Sequence, residues 1–179
     1  EGALRALSRK KNLTILDLGR GGKIVQEGGM EMRDVVGGML LQERDSSSIG
    51  ESRLKSVTPR SPNAEEVRDL IFAWKVTKHA KSNAIVLAKG ERTIGIGAGQ
   101  MSRVDSAKLA IAKASSKARG SCMASDGFIP FRDTVEEAAR AGVTAIIQPG
   151  GSIRDQEVIK LASESDIAMV FTGMRCFRH

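Results

Sequence analysis

The sequence predicts an α/β fold in which a mostly parallel or mixed sheet carries helices on both faces. In the second half of the chain, apolar strand-like segments alternate with segments of helical length. Three segments follow predicted strands, and these are residues 97–103, 149–152 and 175–179. Because ligands of such sheets bind beyond the carboxyl ends of the strands, we expect these three segments to form one pocket.

The first 62 residues predict only short elements. A short helix is expected over residues 1–11. Extended segments are expected at residues 12–18, 23–26, 31–36 and 38–42. Residues 44–62 are polar, with three consecutive serines and two prolines, and they predict a connector.

A helix is predicted over residues 63–82. Asn63 is a good N-cap, and the acidic residues Glu65 and Glu66 suit the first turn. Its apolar stripe has helical spacing and consists of Val67, Leu70, Ile71 and Trp74.

The segment at residues 83–103 predicts two strands joined by a tight turn, then a glycine-rich loop and a helix. Gly95, Gly97 and Gly99 allow the backbone to come close to a bulky group. Arg103 follows where a helix N-terminus offers N–H groups to an anion, and its guanidinium can bind phosphate or carboxylate. We interpret this segment as the floor of a ligand site.

In the rest of the chain, predicted helices alternate with predicted strands. Residues 121–133 are predicted to be irregular, and Asp133 or Thr134 is the expected N-cap of the next helix, which Gly142 ends. Helices are expected at residues 104–118, 134–141 and 155–163, and strands at residues 143–148 and 167–171.

Composition narrows the class of ligand. The net charge is +7, from 28 Lys and Arg against 21 Asp and Glu, which favours anionic metabolites. With five Phe, one Trp and no Tyr, no aromatic residues interleave with the basic ones, so a platform for nucleic acid is not expected. No apolar run approaches the roughly 20 residues of a membrane span. Two cysteines give no disulfide framework and indicate a reducing, cytoplasmic setting.

Several other sites are disfavoured. The segment G-I-G-A-G-Q lacks the G-x-G-x-x-G spacing of a dinucleotide fingerprint. Lys78 and His79 suit the C-terminal end of a helix better than acid–base catalysis. Cys122, Cys176 and His179 lack the C-x-x-C and H-x-E patterns of zinc sites, so no metal is expected.

The stretch S-D-G-F-I-P-F-R-D combines two aromatic rings with charged side chains. Phe128 and Phe131 beside Asp126, Arg132 and Asp133 would suit a flat heterocycle with N–H donors. Asp133 has the alternative role of a helix N-cap, and both roles stay open at this point.

Five segments together resemble a known family. They are S-N-A-I-V-L-A-K, I-G-I-G-A-G-Q-M-S-R-V, S-D-G-F-I-P-F-R-D, Q-P-G-G-S-I-R-D and T-G-M-R-C-F-R-H. In this order they resemble the C-terminal part of the formyltransferase region in the bifunctional purine-biosynthesis enzymes, AICAR formyltransferase/IMP cyclohydrolase. The resemblance runs from about Thr14 to His179 and includes M-E-M-R-D-V-V-G-G-M-L.

The resemblance implies a fold and an activity. The fold would be a three-layer α/β/α sandwich with a mixed sheet, cytidine-deaminase-like without zinc, with residues 1–62 as lead-in and 63–179 as the C-terminal subdomain. The family transfers a formyl group from 10-formyltetrahydrofolate to the 5-amino group of AICAR. It needs no metal for this step and works as a dimer, so we expect a homodimer or pairing with the upstream half of the same enzyme.

The resemblance also assigns residues. Asn83 matches the asparagine at the formyl-transfer centre, where it is both catalytic and AICAR-binding. The other AICAR-binding residues are Arg103, Phe128 and Arg175. The folate-binding residues are Val104, Asp133, Ser152 and Ile153.

Two departures from the family pattern matter. The family's catalytic Lys-His pair would precede Glu1, so we expect this chain alone to be inactive in formyl transfer. We also expect that it does not include the cyclohydrolase domain of the family. Ala80 and Ala84 replace hydroxyl residues that hold a monovalent cation in some relatives, which argues against that cation here. The alternative is a non-catalytic ligand-binding or assembly half of a split enzyme.

Overall fold

The computed structural model describes residues 2–16, 29–176 and 178. The chain divides into two compact units, Glu1–Ser46 and Ser47–His179. The subdomain boundary expected at residues 62 and 63 stays a prediction. Within the described residues, no helix is both long enough and apolar enough to cross a bilayer.

The first unit contains a helix and a hairpin. Helix α1 covers Gly2–Leu7, and strands β1 (Met30–Val35) and β2 (Gly38–Glu43) pair antiparallel. The two-residue turn between them uses the positive φ of Gly37, which glycine adopts without strain. The predicted extended segments at 31–36 and 38–42 are thus confirmed as strands.

Another predicted strand in this unit is wrong. Residues 12–16 belong to no helix or strand, and the remainder of the segment predicted at 12–18 lies outside the described residues, as does the one at 23–26. Leu13, Ile15 and Leu16 are 45%, 40% and 84% exposed. Apolar and β-branched content therefore did not suffice here, because a strand also needs a partner and a buried face.

The second unit is built on a six-stranded mixed sheet. Its strands are β3 (Lys55–Ser56), β4 (Ile85–Ala88), β5 (Thr93–Gly97), β6 (Cys122–Ser125), β7 (Ala145–Gln148) and β8 (Ala168–Phe171). The order across the sheet is β3-β8-β7-β6-β4-β5. Strands β6, β7 and β8 are parallel, whereas β4 is antiparallel to both of its neighbours. The predicted α/β class with a mixed sheet is confirmed.

The reversed direction of β4 determines where chain segments meet. Because β4 is antiparallel to both β5 and β6, strand β5 runs in the same direction as β6, β7 and β8. The carboxyl ends of those four strands and the amino end of β4 therefore lie at one edge of the sheet. We call this edge, formed by the segments next to Ile85, Gly97, Ser125, Gln148 and Phe171, the site edge.

Helices pack on both faces of the sheet. They are α2 (Ala64–Thr77), α3 (Arg103–Ala114), α4 (Arg132–Ala141) and α5 (Asp155–Glu164), with 3₁₀ segments at Glu51–Arg53 and Ser115–Ala118. One core cluster joins α2 to alternate strand residues such as Val86 and Ile147. The other joins α3, α4 and α5 to Ile85, Met123 and Ile146 on the opposite face. The predicted placement of helices on both faces is confirmed.

Helix α2 begins as predicted, with a complete capping box. The Asn63 side-chain oxygen accepts the N–H groups of Glu65 and Glu66 at 2.9 and 3.0 Å, and Glu66 accepts the Asn63 N–H at 2.9 Å. The helix ends at Thr77 rather than near residue 82. His79 and Ala80 donate to carbonyls three residues back, and this tighter turn ends the α-helical pattern.

We expect Asn63→Ala to lower the free energy of unfolding by about 1 kcal/mol, because two first-turn N–H groups lose their acceptor. Urea denaturation measures the effect. Asn63→Asp is the matched control, since an aspartate keeps an oxygen that accepts these N–H groups. We expect it to lower the free energy of unfolding much less than Asn63→Ala does. Equal losses in the two variants would contradict a capping role.

Two strands occur where none was predicted. Strand β6 lies inside the stretch predicted to be irregular, and β3 lies inside the predicted connector. The sequence of β6, C-M-A-S, has no β-branched residue, yet all four residues are buried between two neighbouring strands. Burial on both faces and pairing at both edges therefore decide this strand, and intrinsic propensity does not.

The predicted helix termini also need correction. Helix α4 begins at Arg132, and its N-cap is Phe131, which makes no side-chain capping bond, rather than Asp133 or Thr134. Asp133 instead accepts the Thr134 N–H at 2.6 Å from inside the first turn. Gly142 ends α4 at φ 79° as predicted. Helix α3 gives way to the 3₁₀ segment after Ala114, four residues earlier than expected.

Gly95 and Gly97 let α3 approach β5. A Cβ on Gly97 would lie 1.9 Å from the Ser106 carbonyl oxygen, and one on Gly95 would lie 2.1 Å from that of Ala110. The bulky neighbour expected from the sequence is thus the backbone of α3. These two glycines place the helix whose first residue is Arg103, and they do not themselves contact a ligand cleft.

Candidate functional site

Two neighbouring clefts open at the site edge. The first has a volume of about 240 Å³ and is lined by Asn83, Arg103, Val104 and Asp133 among others. The second has a volume of about 370 Å³ and is lined by Phe128, Ser152 and Ile153 among others. Both clefts include Pro130 and Phe131. Seven of the eight residues that the sequence assigned to the site therefore line one or the other cleft.

The eighth residue, Arg175, is tied to the second cleft through Phe128. Its guanidinium carbon lies 5.3 Å from the centroid of the Phe128 ring, within the range of a cation–π contact. The preceding strand β8 carries this segment to the site edge, and the Cys176 N–H donates to the Asp126 carbonyl at 3.0 Å. The chain at Arg175 is therefore anchored; Phe177 and His179 lie outside the described residues.

Arg103 is the centre of a network of hydrogen bonds. Its Nε donates to Ser125 Oγ at 2.9 Å, its Nη1 to Asn83 Oδ1 at 2.8 Å, and its Nη2 to Asp126 Oδ1 at 2.8 Å. The guanidinium is planar with donors at fixed angles, so three partners hold both its position and its orientation. The side chain, 10% exposed, reaches the first cleft from within the protein.

The electrostatic setting of Arg103 combines opposing effects. Burial lowers the pKa of Arg103, the charge and hydrogen bond of Asp126 raise it, and the positive charge of Arg175 lowers it. Because arginine normally titrates far above neutral pH, the guanidinium keeps its positive charge at neutral pH. Asp126, which is fully buried, supplies the balancing negative charge.

Asn83 lies two residues before the start of β4 and has a defined amide orientation. Its side-chain oxygen accepts from Arg103, and its Nδ2 donates to the Gln100 carbonyl at 3.0 Å. Its backbone carbonyl accepts from Ser106 Oγ at 2.8 Å. Since the amide nitrogen has two hydrogens and one is used by Gln100, the other is the donor that Asn83 can offer to the first cleft.

The second cleft has a largely apolar wall. Phe131 is 50% exposed, and the Ile153 side chain is fully exposed at the tip of the loop. The guanidinium carbon of Arg154 lies 5.0 Å from the Phe131 ring centroid. Asp155 shapes the loop by accepting the N–H groups of Gly151 and Ser152 at 2.7 and 3.2 Å. Such a surface suits a flat ring with an anionic substituent.

Other candidates from the sequence lie elsewhere. Lys78 donates to the Ser47 carbonyl at 2.5 Å, and neither Lys78 nor His79 lines the two clefts. Cys122 and Cys176 are buried, and burial raises the pKa of the Cys122 thiol strongly. Across the described ranges, no three His, Cys, Asp or Glu side chains are grouped to hold a metal ion.

A larger cavity of about 560 Å³ lies at the opposite edge of the sheet. It is lined by the N-terminus of α2 and the turn between β4 and β5. Two of its acidic groups are used structurally, because Asp69 accepts the N–H groups of Gly90 and Glu91 and Glu66 pairs with Arg60 at 2.6 Å. We therefore locate the candidate site in the two clefts at the site edge.

Sequence reasoning missed several residues of the site. It noted Asp126 beside the aromatic pair without a defined role, and it did not select Ser125, Arg154 or Ser82. Ser125 and Asp126 were detectable, because a buried strand that ends in S-D places two polar side chains at the carboxyl edge of the sheet. The strand itself was not predicted, so that signal was lost.

Comparison with known protein sequences identifies relatives of this chain. The sequence model of the AICARFT/IMPCHase bienzyme family matches residues 1–113. The bifunctional purine biosynthesis protein PurH of Magnetococcus marinus is 52% identical over 189 residues, covering 100% of this chain and 36% of the relative. PurH of Bacillus anthracis is 55% identical over 177 residues, covering 99% of this chain and 34% of the relative. The chain thus spans about a third of the length of these relatives.

Two solved structures of Acinetobacter baumannii RibD also match. Form 1 has a TM-score of 0.43 at 15% identity, covering 60% of this chain and 36% of that one. Form 2 has a TM-score of 0.42 at 14% identity, covering 59% and 35%. The family is shown by the sequence matches rather than by these structures, because the sequence model of the family covers more than half of the chain. This chain belongs to the AICARFT/IMPCHase bienzyme family.

Proposed function

We propose that this chain forms part of an AICAR formyltransferase site. The reaction moves the formyl group of 10-formyltetrahydrofolate to the 5-amino group of AICAR and gives FAICAR, on the route to IMP. Membership of the family supports this function, and so does the meeting of all eight assigned residues at the site edge.

The oriented amide of Asn83 is the observation that carries the proposal. When the amine of AICAR attacks the formyl carbon, the formyl oxygen gains negative charge. Arg103 binds the Asn83 oxygen and the Gln100 carbonyl binds one hydrogen of its amide nitrogen. Because Asn83 lines the first cleft, the second hydrogen can be donated to that formyl oxygen. A donor fixed in advance stabilises the transition state without reorganisation.

The residues that line the two clefts suggest where each of the two substrates binds. AICAR would contact Asn83, Arg103, Phe128 and Arg175, whose rings and charges suit a heterocycle that carries a phosphate. The folate would contact Val104, Asp133, Ser152 and Ile153. The exposed Ile153 and Phe131 offer apolar surface to a pterin, and the Asp133 carboxylate at the first cleft can accept its N–H groups.

The finer architecture belongs to the same proposal. Helices on both faces of the mixed sheet support a three-layer α/β/α sandwich of cytidine-deaminase-like type without zinc, with residues 63–179 as the subdomain and 1–62 as its lead-in. A base must also remove the proton of the amine, and the Lys-His pair of the family would supply it from another segment. We propose assembly with that part of the enzyme or as a homodimer, in the cytoplasm, without a metal.

The test is a chimaera in which this chain replaces the matching third of Bacillus anthracis PurH. We expect the chimaera to form FAICAR from AICAR and 10-formyltetrahydrofolate, and Asn83→Ala to reduce its kcat by about 100- to 1000-fold. Asn63→Ala is the matched control, because it removes an asparagine amide at the opposite edge and should leave kcat unchanged.

Two results would contradict the proposal. One is a folded chimaera without formyl transfer, and the other is equal activity in the Asn83→Ala and Asn63→Ala variants. Calorimetry of the chain with AICAR then tests the non-catalytic alternative, because a binding half of a split enzyme would bind AICAR even if the chimaera were inactive.

A further inference from the structure

The carboxylate of Asp126 joins separate segments of the site edge. Its Oδ1 accepts from Arg103 at 2.8 Å, and its Oδ2 accepts from Ser82 Oγ. Its backbone N–H donates to the Ala84 carbonyl at 3.2 Å, and its carbonyl accepts the Cys176 N–H at 3.0 Å. Asp126 is fully buried and lines neither cleft, so it acts on a bound molecule only through its neighbours.

The orientation of the Arg103 guanidinium depends on that carboxylate. Nη2 is directed to Asp126, and the rigid geometry of the fork then directs Nη1 to Asn83 at 2.8 Å and Nε to Ser125 at 2.9 Å. Without the Asp126 oxygens, the guanidinium would keep only neutral partners among these three and would be free to rotate toward another anion.

The orientation of the Asn83 amide depends on Arg103 together with the Gln100 carbonyl, which accepts from Nδ2 at 3.0 Å. An amide can turn by 180°, which exchanges its oxygen and nitrogen, and the hydrogen-bond partners decide between the two states. Arg103 has only donors, so it requires the Asn83 oxygen on its side. The turned amide would bring its oxygen against the Gln100 carbonyl, and the N–H donor proposed for the formyl oxygen would be lost.

We propose that Asp126 is a positioning residue for formyl transfer, which acts through Arg103 to keep the Asn83 amide nitrogen directed at the cleft. The proposal rests on the proposed function for its catalytic consequence. Its structural part, control of the Asn83 amide by Asp126, does not depend on the reaction and is tested separately.

The first experiment observes the Asn83 side-chain amide by ¹⁵N NMR in the chain itself. We expect Asp126→Ala to shift both amide protons and to speed their exchange with water by about tenfold or more, because local opening becomes easier. Asp126→Asn should restore the native signals, since its oxygen can still accept from Arg103. Asp69→Ala is the matched control, a buried aspartate that accepts two N–H groups at the opposite edge and should leave the Asn83 signals unchanged.

The second experiment measures kinetics in the chimaera. Asp126→Ala should lower kcat by about 10- to 100-fold, approaching the loss of a transition-state donor, and should also raise KM for AICAR, because Arg103 is a proposed AICAR contact. Asp126→Asn should recover most of kcat. A general loss of structure would not be rescued by asparagine and would also occur in Asp69→Ala, which removes a buried carboxylate at the opposite edge.

Each outcome decides the proposal. Unchanged Asn83 signals in Asp126→Ala, or an active chimaera whose kcat survives this substitution, overturns it while the proposed function stands. An inactive wild-type chimaera would contradict the proposed function. The NMR experiment would still decide whether Asp126 controls the Asn83 amide. If Asp126→Ala does not fold, Ser82→Ala takes its place, since loss of the hydroxyl that bonds Oδ2 should speed exchange at Asn83 by about threefold. No change in that variant also overturns the proposal.

Discussion

Replacing Gly97 with alanine is expected to lower the free energy of unfolding by about 3 kcal/mol or more. The added Cβ would lie 1.9 Å from the Ser106 carbonyl oxygen and 2.6 Å from the carbonyl carbon, so backbone of α3 would have to move away from β5. A flexible side chain could rotate aside, but a helix backbone cannot. Guanidinium denaturation of the chain measures the loss.

The same substitution should affect the site. Ser106 is the residue whose hydroxyl donates to the Asn83 carbonyl at 2.8 Å, and Arg103 begins the helix that would be displaced. We therefore expect the Gly97→Ala chimaera to lose formyl transfer at temperatures where it is still folded. Gly50→Ala is the control, since a Cβ there meets nothing within 4 Å and stability should change by less than about 0.5 kcal/mol. Equal stability of the two variants would contradict the close packing.

Replacing Arg103 with methionine is expected to lower the free energy of unfolding by about 3–5 kcal/mol, because it leaves the buried Asp126 carboxylate without its counter-charge. The double variant Arg103→Met with Asp126→Asn removes both charges. It should be more stable than Arg103→Met alone, since a neutral amide in this position carries no uncompensated charge.

A double-mutant cycle by chemical denaturation measures this coupling. The exposed pair Lys160 and Glu164, 3.8 Å apart on α5, is the comparison, and its coupling should be below about 1 kcal/mol. If the double variant were less stable than Arg103→Met by the full cost of Asp126→Asn, the two side chains would be independent and the buried pair would not exist.

The sequence predicted those elements whose signals are local. The cap at Asn63, the apolar strands β7 and β8, and the glycine that ends α4 each depend on residues within a few positions, and each was confirmed. Strands β3 and β6 were missed because they form by pairing with distant segments. Ser56 pairs with Val170, and the short side chains of β6 are buried only because the sheet closes around them.

For the candidate site, the assigned residues proved to be neighbours in space, whereas their interactions were not predicted. The family resemblance selected eight residues, and the structure brings all of them to one edge of the sheet. It could not show that Arg103 bonds three protein groups at once, since those partners lie at the amino end of β4 and the carboxyl end of β6, and the relative direction of these strands was not predictable. Asp126 acquires its importance only from that geometry.

The pairing of β3 with β8 has a consequence for any attempt to express residues 63–179 in isolation. Lys55 and Ser56 cover the outer edge of β8, and Thr58 Oγ1 accepts the Met169 N–H at 2.8 Å. A polypeptide that began at residue 63 would leave β8 as an open edge, with Val170 and Met169 beside unpaired backbone groups. Such an edge recruits strands from other molecules, so a shortened version would aggregate even though it kept helices α2 to α5 and five of the six strands of the large sheet.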